Sequence, residues 1–91
     1  AKQASMDSNI ETLYQLMDDK VEALEFIVNS DSKLLGIPLK DLSLRKNTLI
    51  AGIVRGRQTI IPGGNDTILH GDRVIVICAD KRLQNLEEIL A

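Results

Sequence analysis

Residues 48–62, which read TLIAGIVRGRQTIIP, constrain the fold of this chain more than any other stretch. Two runs rich in β-branched residues flank a Gly-Arg pair, and such runs around a two-residue turn that contains glycine are typical of a β-hairpin. We predict a first arm over residues 49–55 and a second arm over residues 58–61. Pro62 ends the second arm because proline lacks the N–H group that a strand ladder needs. The hairpin is therefore the element around which we expect the remaining strands to assemble.

Two further stretches have the pattern of strands. Residues 21–28 alternate between two faces, and the face with Leu24 and Phe26 is the more apolar one, so we expect it to face the core. Residues 73–79 are almost continuously apolar. Such a run is typical of a strand buried on both faces, at the centre of a sheet or beneath a second layer. Residues 67–69 are predicted to form a very short strand.

Three segments have helical patterns. Residues 10–17 place apolar side chains at i, i+3, i+4 and i+7, as on one face of a short helix. Residues 38–42 are predicted as a short helix because proline suits the first helical position. A last helix is predicted over residues 81–90, with Asp80 as its N-cap. The order of elements indicates an α+β fold: a small, mixed, mainly antiparallel β-sheet with a central hairpin and helices packed on one side.

Composition excludes several classes of function. The formal net charge of the 91 residues is -2, and only two side chains are aromatic, so the chain lacks the cations and stacking surfaces of a nucleic-acid-binding domain. A single cysteine cannot form an internal disulfide or hold zinc alone, and Cys78 lies in an apolar run, so we expect a core residue. No run approaches the roughly 20 apolar residues of a membrane span. We expect one small domain that gains stability by association.

Catalytic chemistry has few candidate residues in this chain. His70 is the single histidine and lies beside Gly71 in a predicted turn, without a nucleophile near it in the sequence. The acidic pairs at residues 18–19 and 87–88 are explained by solvated surfaces. The loop at residues 63–66, GGND, lacks the phosphate-binding pattern G-x-x-x-x-G-K-[ST]. We therefore predict no enzyme activity, no catalytic residue and no metal site.

Basic residues concentrate around the hairpin. Arg55 and Arg57 are placed near its tip, and Arg45 and Lys46 precede its first arm. These cations either keep a turn solvated, or they form an anion site or an intersubunit salt-bridge site. Both interpretations remain open from the sequence.

Five segments of the chain carry a resemblance to a known family. In order they read VEALEF (residues 21–26), GIPLKDL (36–42), LIAGIVRG (49–56), IIP (60–62) and DTILHGDRVIV (66–76). Together they resemble the C-terminal domain of TrkA-type potassium-uptake regulators, which is also the C-terminal part of the RCK (regulator of K⁺ conductance) domain. The resemblance extends over residues 9–90.

This resemblance implies a domain organisation and a setting. Residues 1–20 would be the linker or connecting helix from an upstream Rossmann-type domain that binds NAD or ATP, and residues 21–91 would be the regulatory domain. The parent protein would be a cytoplasmic subunit, peripheral at the inner membrane face, that controls K⁺ uptake through a membrane channel or transporter. The same type of module also occurs on other ion transporters and antiporters, which is the alternative setting.

The resemblance also implies a dimeric or higher homo-oligomeric module whose interface binds a small nucleotide effector, such as cyclic di-AMP in some relatives. Carried over by position, the residues lining that pocket would be Ile50, Ala51, Ile53, Arg55, Ile61 and Pro62. Many relatives that bind the cyclic dinucleotide have a histidine near the end of the first hairpin arm, where this chain reads VRG at residues 54–56. A purely structural dimerisation module is the second alternative.

Overall fold

The computed structural model describes residues 10–16, 21–79 and 83–91. Five strands form one sheet in the order β1-β2-β5-β3-β4, and every neighbouring pair is antiparallel. The strands are β1 (Ile10–Leu16), β2 (Val21–Ile27), β3 (Thr48–Arg55), β4 (Gln58–Ile60) and β5 (Arg73–Ala79). Two short 3-10 helices, Leu39–Asp41 and Leu86–Ile89, are the helices of the described residues, which include no α-helix.

The hairpin of β3 and β4 is confirmed. Gly56 has a φ of +62°, whereas Arg57 has a negative φ, which is the pattern of a type II′ turn with glycine at its first central position. The predicted central place of the hairpin is wrong, because β4 is an edge strand and β5 occupies the middle of the sheet. The short length of β4 limits this arm to three residues, so it covers one end of β3 and not the whole strand.

One face of the sheet carries the core. The predicted Leu24 and Phe26 face is confirmed, since their side chains are 1% and 0% exposed. The strands contribute most of the buried apolar residues, and the segments between them contribute the rest. The core comprises Leu24, Phe26, Val28, Leu34, Ile50, Ile53, Ile68, Val74, Val76, Cys78, Leu83, Leu86 and Ile89.

Irregular segments, cross-linked through their backbones, cover this core. The N–H of Gly36 donates to the carbonyl of Ile68 at 3.1 Å, and Leu35 and Ile68 form a parallel bridge. The N–H of Arg45 donates to the carbonyl of Ile89 at 2.8 Å. These bonds satisfy backbone groups that would otherwise be buried without partners. The covering layer is therefore built from loops and two 3-10 helices in place of the predicted layer of helices.

The predicted helix over residues 10–17 is wrong for the part that the structure describes, because Ile10–Leu16 is strand β1, paired antiparallel with β2. Met17 lies outside the described residues. An isolated helix of this length is marginal in water, whereas the open edge of β2 offers a row of backbone partners. The apolar and polar side chains of the same residues also alternate with a period of two, as in a strand. Pairing with β2 therefore decided between the helical pattern and the strand pattern, both of which the sequence contains.

The last predicted helix is also wrong as an α-helix. Residues 80–82 lie outside the described part of the chain, and from Leu83 onward the backbone forms a single 3-10 turn at Leu86–Ile89. Buried leucine and isoleucine side chains three residues apart fit a 3-10 helix, in which positions i and i+3 lie above one another. Leu90 is then extended and forms a bridge with Leu44, which an α-helix would prevent.

The short helix predicted at residues 38–42 is present as the 3-10 helix Leu39–Asp41, and Pro38 precedes it as its N-cap residue. Leu39 and Leu42 pack against the core cluster. This part of the covering layer therefore follows the local signal of the sequence closely.

Candidate functional site

Arg55 and Asp72 form an ion pair where the first arm of the hairpin ends. The guanidinium donates from Nε to Oδ1 of the carboxylate at 2.9 Å and from Nη2 to Oδ2 at 2.8 Å. Such a two-bond geometry is the strongest form of this ion pair. The Asp72 side chain is 2% exposed and the Arg55 side chain is 37% exposed. The carboxylate is therefore enclosed, while one side of the guanidinium reaches solvent.

Asp72 also connects the hairpin to two other segments. Its Oδ2 accepts a hydrogen bond from the N–H of Leu69 at 2.9 Å, and its carbonyl accepts one from the N–H of Val28 at 2.9 Å. Arg55 Nη2 donates in addition to the carbonyl of Thr67 at 3.0 Å. The pair thus joins β3 to the turn before β5 and to the residue after β2.

The electrostatics of the pair favour both charged forms. Burial alone raises the pKa of Asp72, but the hydrogen bonds from Arg55 and from the Leu69 N–H, together with the charge of Arg55, outweigh burial and hold that pKa below its usual value of 3.8. The hydrogen bond with Asp72 raises the pKa of Arg55 above its usual value, against a smaller lowering by burial. Both groups are therefore charged at neutral pH.

A dependence of stability on pH follows from the lowered pKa of Asp72. A carboxyl group whose pKa is lower in the folded state than in the unfolded state stabilises the fold above the unfolded pKa, near 3.8. It loses that contribution as the pH falls through the folded pKa. We expect the difference in melting temperature between the wild type and Asp72→Asn to be constant from pH 7 to about pH 5 and to narrow below about pH 4. Calorimetric scans across this range measure it. A difference that stays constant down to pH 2.5 would contradict the assignment.

The structure divides the predicted ligand-contacting residues into buried and accessible ones. Ile50 and Ile53 are 7% and 0% exposed and belong to the core. Ile61 follows β4 and is 81% exposed, and Pro62 beside it is half-buried. Ala51 is the extra residue at the register shift between Ile50 and Gly52, and it is half-buried. Ile61, Pro62 and Ala51 are therefore the apolar members of the set that a ligand could reach directly, whereas the two core isoleucines are not accessible.

The guanidinium of Arg55 donates hydrogen bonds to the Asp72 carboxylate and to the Thr67 carbonyl. The role that these bonds give to Arg55 is to hold the hairpin in place, and any contact with a ligand would be additional to it. Asp72 is the site residue that sequence reasoning missed. Its signal was weak, since an aspartate after glycine is usual in a tight turn. The partner of such an aspartate depends on which segments the fold brings together.

The predicted single concentration of basic residues is wrong. Arg45 and Lys46 precede the start of β3, whereas Arg55 and Arg57 lie at its far end. The seven residue steps of the strand separate these pairs by about 23 Å. An anion that contacts one pair is therefore out of reach of the other.

The remaining polar motifs have local roles. The Ser32 hydroxyl donates to Glu87 Oε2 at 2.8 Å, and the Gln84 N–H donates to Glu88 Oε1 at 3.0 Å, so this acidic pair connects and caps backbone segments. In the GGND loop, the N–H of Gly63 donates to Asp66 Oδ2 at 2.6 Å. The Asp66 carboxylate therefore accepts from a backbone N–H that a phosphate-binding loop would direct at its ligand.

The titratable residues considered from the sequence are placed as expected. His70 is exposed in the turn before β5. Cys78 is 1% exposed, with its sulfur 3.5 Å from the Thr48 hydroxyl, and is confirmed as a core residue. Within residues 10–16, 21–79 and 83–91, no group of three or more His, Cys, Asp and Glu side chains has the arrangement of a metal site. In the same part of the chain, no helix is long and apolar enough to cross a membrane.

The face of the sheet opposite the core is incompletely covered in the isolated chain. The strand register places Ala23, Ile77 and Leu49 side by side across three strands of this face, and Ile75 and Val54 next to them. We call the surface formed by these five residues the open face. Leu49 is 58% exposed and the other four are half-buried. We predicted that both faces of β5 are buried. The structure confirms this for the core face, whereas the side chains of β5 on the open face are at most half-buried.

Similarity to known proteins agrees with this architecture. The chain is 31% identical over 84 residues to the Trk system potassium uptake protein TrkA homolog 1 of Methanosarcina mazei, a match that covers 92% of this chain and 19% of that protein. It is 39% identical over 80 residues to the TrkA homolog of Archaeoglobus fulgidus, covering 88% of this chain and 18% of that protein. The chain thus spans about a fifth of the length of these relatives.

A solved structure described as an RCK domain with cda superposes with a TM-score of 0.55 and 27% sequence identity, covering 64% of this chain and 81% of that one. The family model of the TrkA-C domain matches residues 23–91. That match includes strands β3, β4 and β5, most of β2, and the whole covering layer. The chain therefore belongs to the TrkA-C domain family, as a C-terminal domain of the RCK type.

Proposed function

We propose that this chain is the regulatory module of a cytoplasmic subunit that controls K⁺ uptake through a membrane channel or transporter of the Trk/Ktr type. The observation that carries the proposal is the match of residues 23–91 to the TrkA-C domain, together with relatives that are named as Trk potassium uptake proteins. In this proposal the module binds a small ligand, associates with a second copy, and acts on the membrane partner through the rest of the subunit.

Most of the relatives' length lies outside the match, and the nucleotide-binding part of the subunit belongs there in this proposal. A Rossmann-type domain upstream would bind NAD or ATP, and residues 1–20 would connect it to the regulatory domain. Strand β1 lies within this connection and pairs with β2 along the register from Ile10 to Leu16. A displacement of the regulatory domain would then move the connection with it.

The effector site of the proposal lies on the hairpin. Ile61, Pro62 and Ala51 offer apolar surface for a nucleobase, while Ile50 and Ile53 of the same hairpin belong to the core. Arg55 takes part through the ion pair with Asp72, which holds the end of the hairpin arm. An effector shifts the regulatory equilibrium only as far as it binds one arrangement of the module better than the other.

Isothermal titration calorimetry of this chain against ATP, NADH and cyclic di-AMP tests the ligand-binding part of the proposal. We expect heat from one of the three nucleotides. We also expect roughly tenfold weaker binding in Ile61→Ala, because loss of buried apolar contact of this size costs about 1–2 kcal/mol. Leu69→Ala is the matched control, since Leu69 is exposed at 44% but belongs to the covering layer. Absence of heat from all three nucleotides would reject ligand sensing and favour the purely structural dimerisation module.

A further inference from the structure

Strand β4 leaves one edge of the sheet open. It is the last strand in the order β1-β2-β5-β3-β4, and within the described part of the chain no strand pairs with its outer side. Gln58 and Thr59 are exposed, Ile60 is half-buried, and Ile61, directly after the strand, is 81% exposed. An edge of this kind presents backbone N–H and C=O groups with which another extended segment can pair.

The geometry of the hairpin determines which backbone groups point outward. In a hairpin with a two-residue turn, the residues that flank the turn exchange both hydrogen bonds, so the backbone groups of Gln58 point towards Arg55. The direction alternates along a strand, so the N–H and C=O groups of Thr59 point outward. Continued along the chain, the alternation would direct an N–H at position 62 inward. Pro62 therefore ends the pairing with β3 without removing an outward donor.

The hairpin carries charges of one sign. Residues 42–65 contain four basic and no acidic side chains. Arg55 is neutralised by Asp72, whereas Arg57 is exposed in the turn that leads into β4 and has no ion-pair partner among the residues that the structure describes. The beginning of the open edge therefore has a free cation beside it.

A second cation lies beyond the end of the edge. Lys40 is exposed, and its N–H donates to the carbonyl of Gly64 at 2.9 Å, in the loop that follows Ile61. Asp66 of the same loop is turned back onto the N–H of Gly63 at 2.6 Å. An edge with a basic side chain near each end attracts an acidic segment and repels a second copy of the same edge, which carries the same charges.

We propose that the outer edge of β4 binds an extended, acidic segment of a partner protein by strand addition. The backbone of Thr59 pairs with the segment, apolar side chains of the segment pack on Ile61, and its acidic side chains lie towards Arg57 and Lys40. Because β4 has only three residues, the backbone pairing is short and the side-chain charges select the partner. This interaction goes beyond the proposed regulation by a nucleotide and does not depend on it.

Two synthetic eight-residue peptides test the edge, one with alternating glutamate and valine and one with alternating lysine and valine. Titration of the full chain followed by NMR measures their binding, and hydrogen exchange measures the protection of the Thr59 amide. We expect the acidic peptide to bind at least about tenfold more tightly than the basic one and to slow exchange at Thr59. Equal binding of the two peptides, no binding of the acidic peptide at millimolar concentration, or binding that leaves the Thr59 amide unprotected would each overturn the proposal.

Substitution of Thr59 tests the backbone pairing. Thr59→Pro removes the outward N–H but no donor of the hairpin, so we expect it to remain folded and to bind the acidic peptide at least about tenfold more weakly. Thr59→Val is the matched control, because it keeps the N–H, and its affinity should stay within about twofold of the wild type. Circular dichroism shows whether each variant is folded. Equal affinities of the two variants would overturn strand addition.

Arg57→Glu tests the charge without changing the backbone, and it decides the matter if Thr59→Pro does not fold. We expect a loss of about tenfold or more for the acidic peptide, and no comparable loss for the control Arg45→Glu, which lies beyond the other end of β3. Equal losses in these two variants would contradict the proposal. A chain that self-associates less in Thr59→Pro, while the acidic peptide does not bind the wild type, would assign the edge to a second copy and overturn it. Calorimetry with nucleotides remains a separate test of the proposed function.

Discussion

Replacement of Asp72 by asparagine is expected to lower the free energy of unfolding by about 2–3 kcal/mol, which for a domain of this size is a fall in melting temperature of roughly 10–20 °C. The side chain is 2% exposed and accepts hydrogen bonds from Arg55 at 2.9 and 2.8 Å and from the Leu69 N–H at 2.9 Å. Asparagine keeps the shape of the side chain but lacks its negative charge. It also has an NH₂ group in place of one carboxylate oxygen, so this donor would face the N–H donors of the guanidinium. The expected loss lies below that for a fully buried pair, because the Arg55 side chain is 37% exposed and can turn to water.

Urea unfolding of the wild type and the variant measures this loss. Asp41→Asn is the matched control, since Asp41 is an exposed aspartate in the first 3-10 helix, and we expect a change within about 0.5 kcal/mol there. Hydrogen exchange provides a second measurement. The Leu69 amide donates directly to the Asp72 carboxylate, so its protection should decrease in Asp72→Asn more than that of amides in the central strand. Equal losses of stability in Asp72→Asn and Asp41→Asn would show that the Arg55–Asp72 ion pair does not hold β3 to the turn before β5.

Replacement of Phe26 by alanine is expected to cost about 3–5 kcal/mol, the largest effect of any single substitution proposed for this chain. Phe26 is the single phenylalanine of the sequence, is 0% exposed, and lies opposite Val74 of the central strand. The remaining core residues are aliphatic, apart from the small Cys78, and the closed covering layer limits how far they can collapse into the space left by the ring. Since small domains are stable by about 5–15 kcal/mol, this variant approaches the limit of folding.

Denaturant titration followed by circular dichroism measures the effect of Phe26→Ala. Phe26→Leu is the control, because it keeps most of the volume and should lose only about 1–2 kcal/mol. If Phe26→Ala is already unfolded without denaturant, Phe26→Leu still tests the prediction, since its midpoint must lie below that of the wild type. A loss below about 1 kcal/mol for Phe26→Ala would mean that the core rearranges around the site.

The position of Arg55 changes how substitutions on the hairpin should be interpreted. A variant of Arg55 would weaken ligand binding even if the guanidinium never contacts a ligand, because the end of β3 and the turn before β5 depend on its bonds to Asp72 and Thr67. Binding and stability therefore have to be measured together for Arg55. Ile61 is the better probe of contact, since it is 81% exposed and carries no core packing.

Local sequence patterns were sufficient to predict an element where the interactions that form it lie within a few residues of one another. The hairpin was predictable from two β-branched runs around Gly56, and strand β5 from its apolar run, because both signals lie within a single element. The alternation in β2 likewise identified the core face correctly. In contrast, residues 10–16 of the predicted helix form an edge strand, because β2, whose paired residues lie 5 to 16 positions further along the chain, supplies their hydrogen bonds.

The candidate site was predictable to a smaller extent. The sequence placed Ile61 at the end of the second hairpin arm and Pro62 directly after it, whereas in the structure β4 ends at Ile60 and Ile61 is exposed. It did not reveal that Ile50 and Ile53 face the core, since the register shift at Ala51 changes which residues share a face. It also gave no sign that Arg55 and Asp72 are partners, because 17 residues and a second strand separate them.

The amino-acid sequence by itself determined strands β2 to β5, the tight turn at Gly56 and the aliphatic character of the core, because these depend on side-chain chemistry and on neighbours a few residues away. The tertiary structure alone decided that the central strand is β5, that β1 is a strand, and that Asp72 receives Arg55. These outcomes depend on which distant segments compete for the same backbone partners and the same buried space, and that competition is settled only when the whole chain packs.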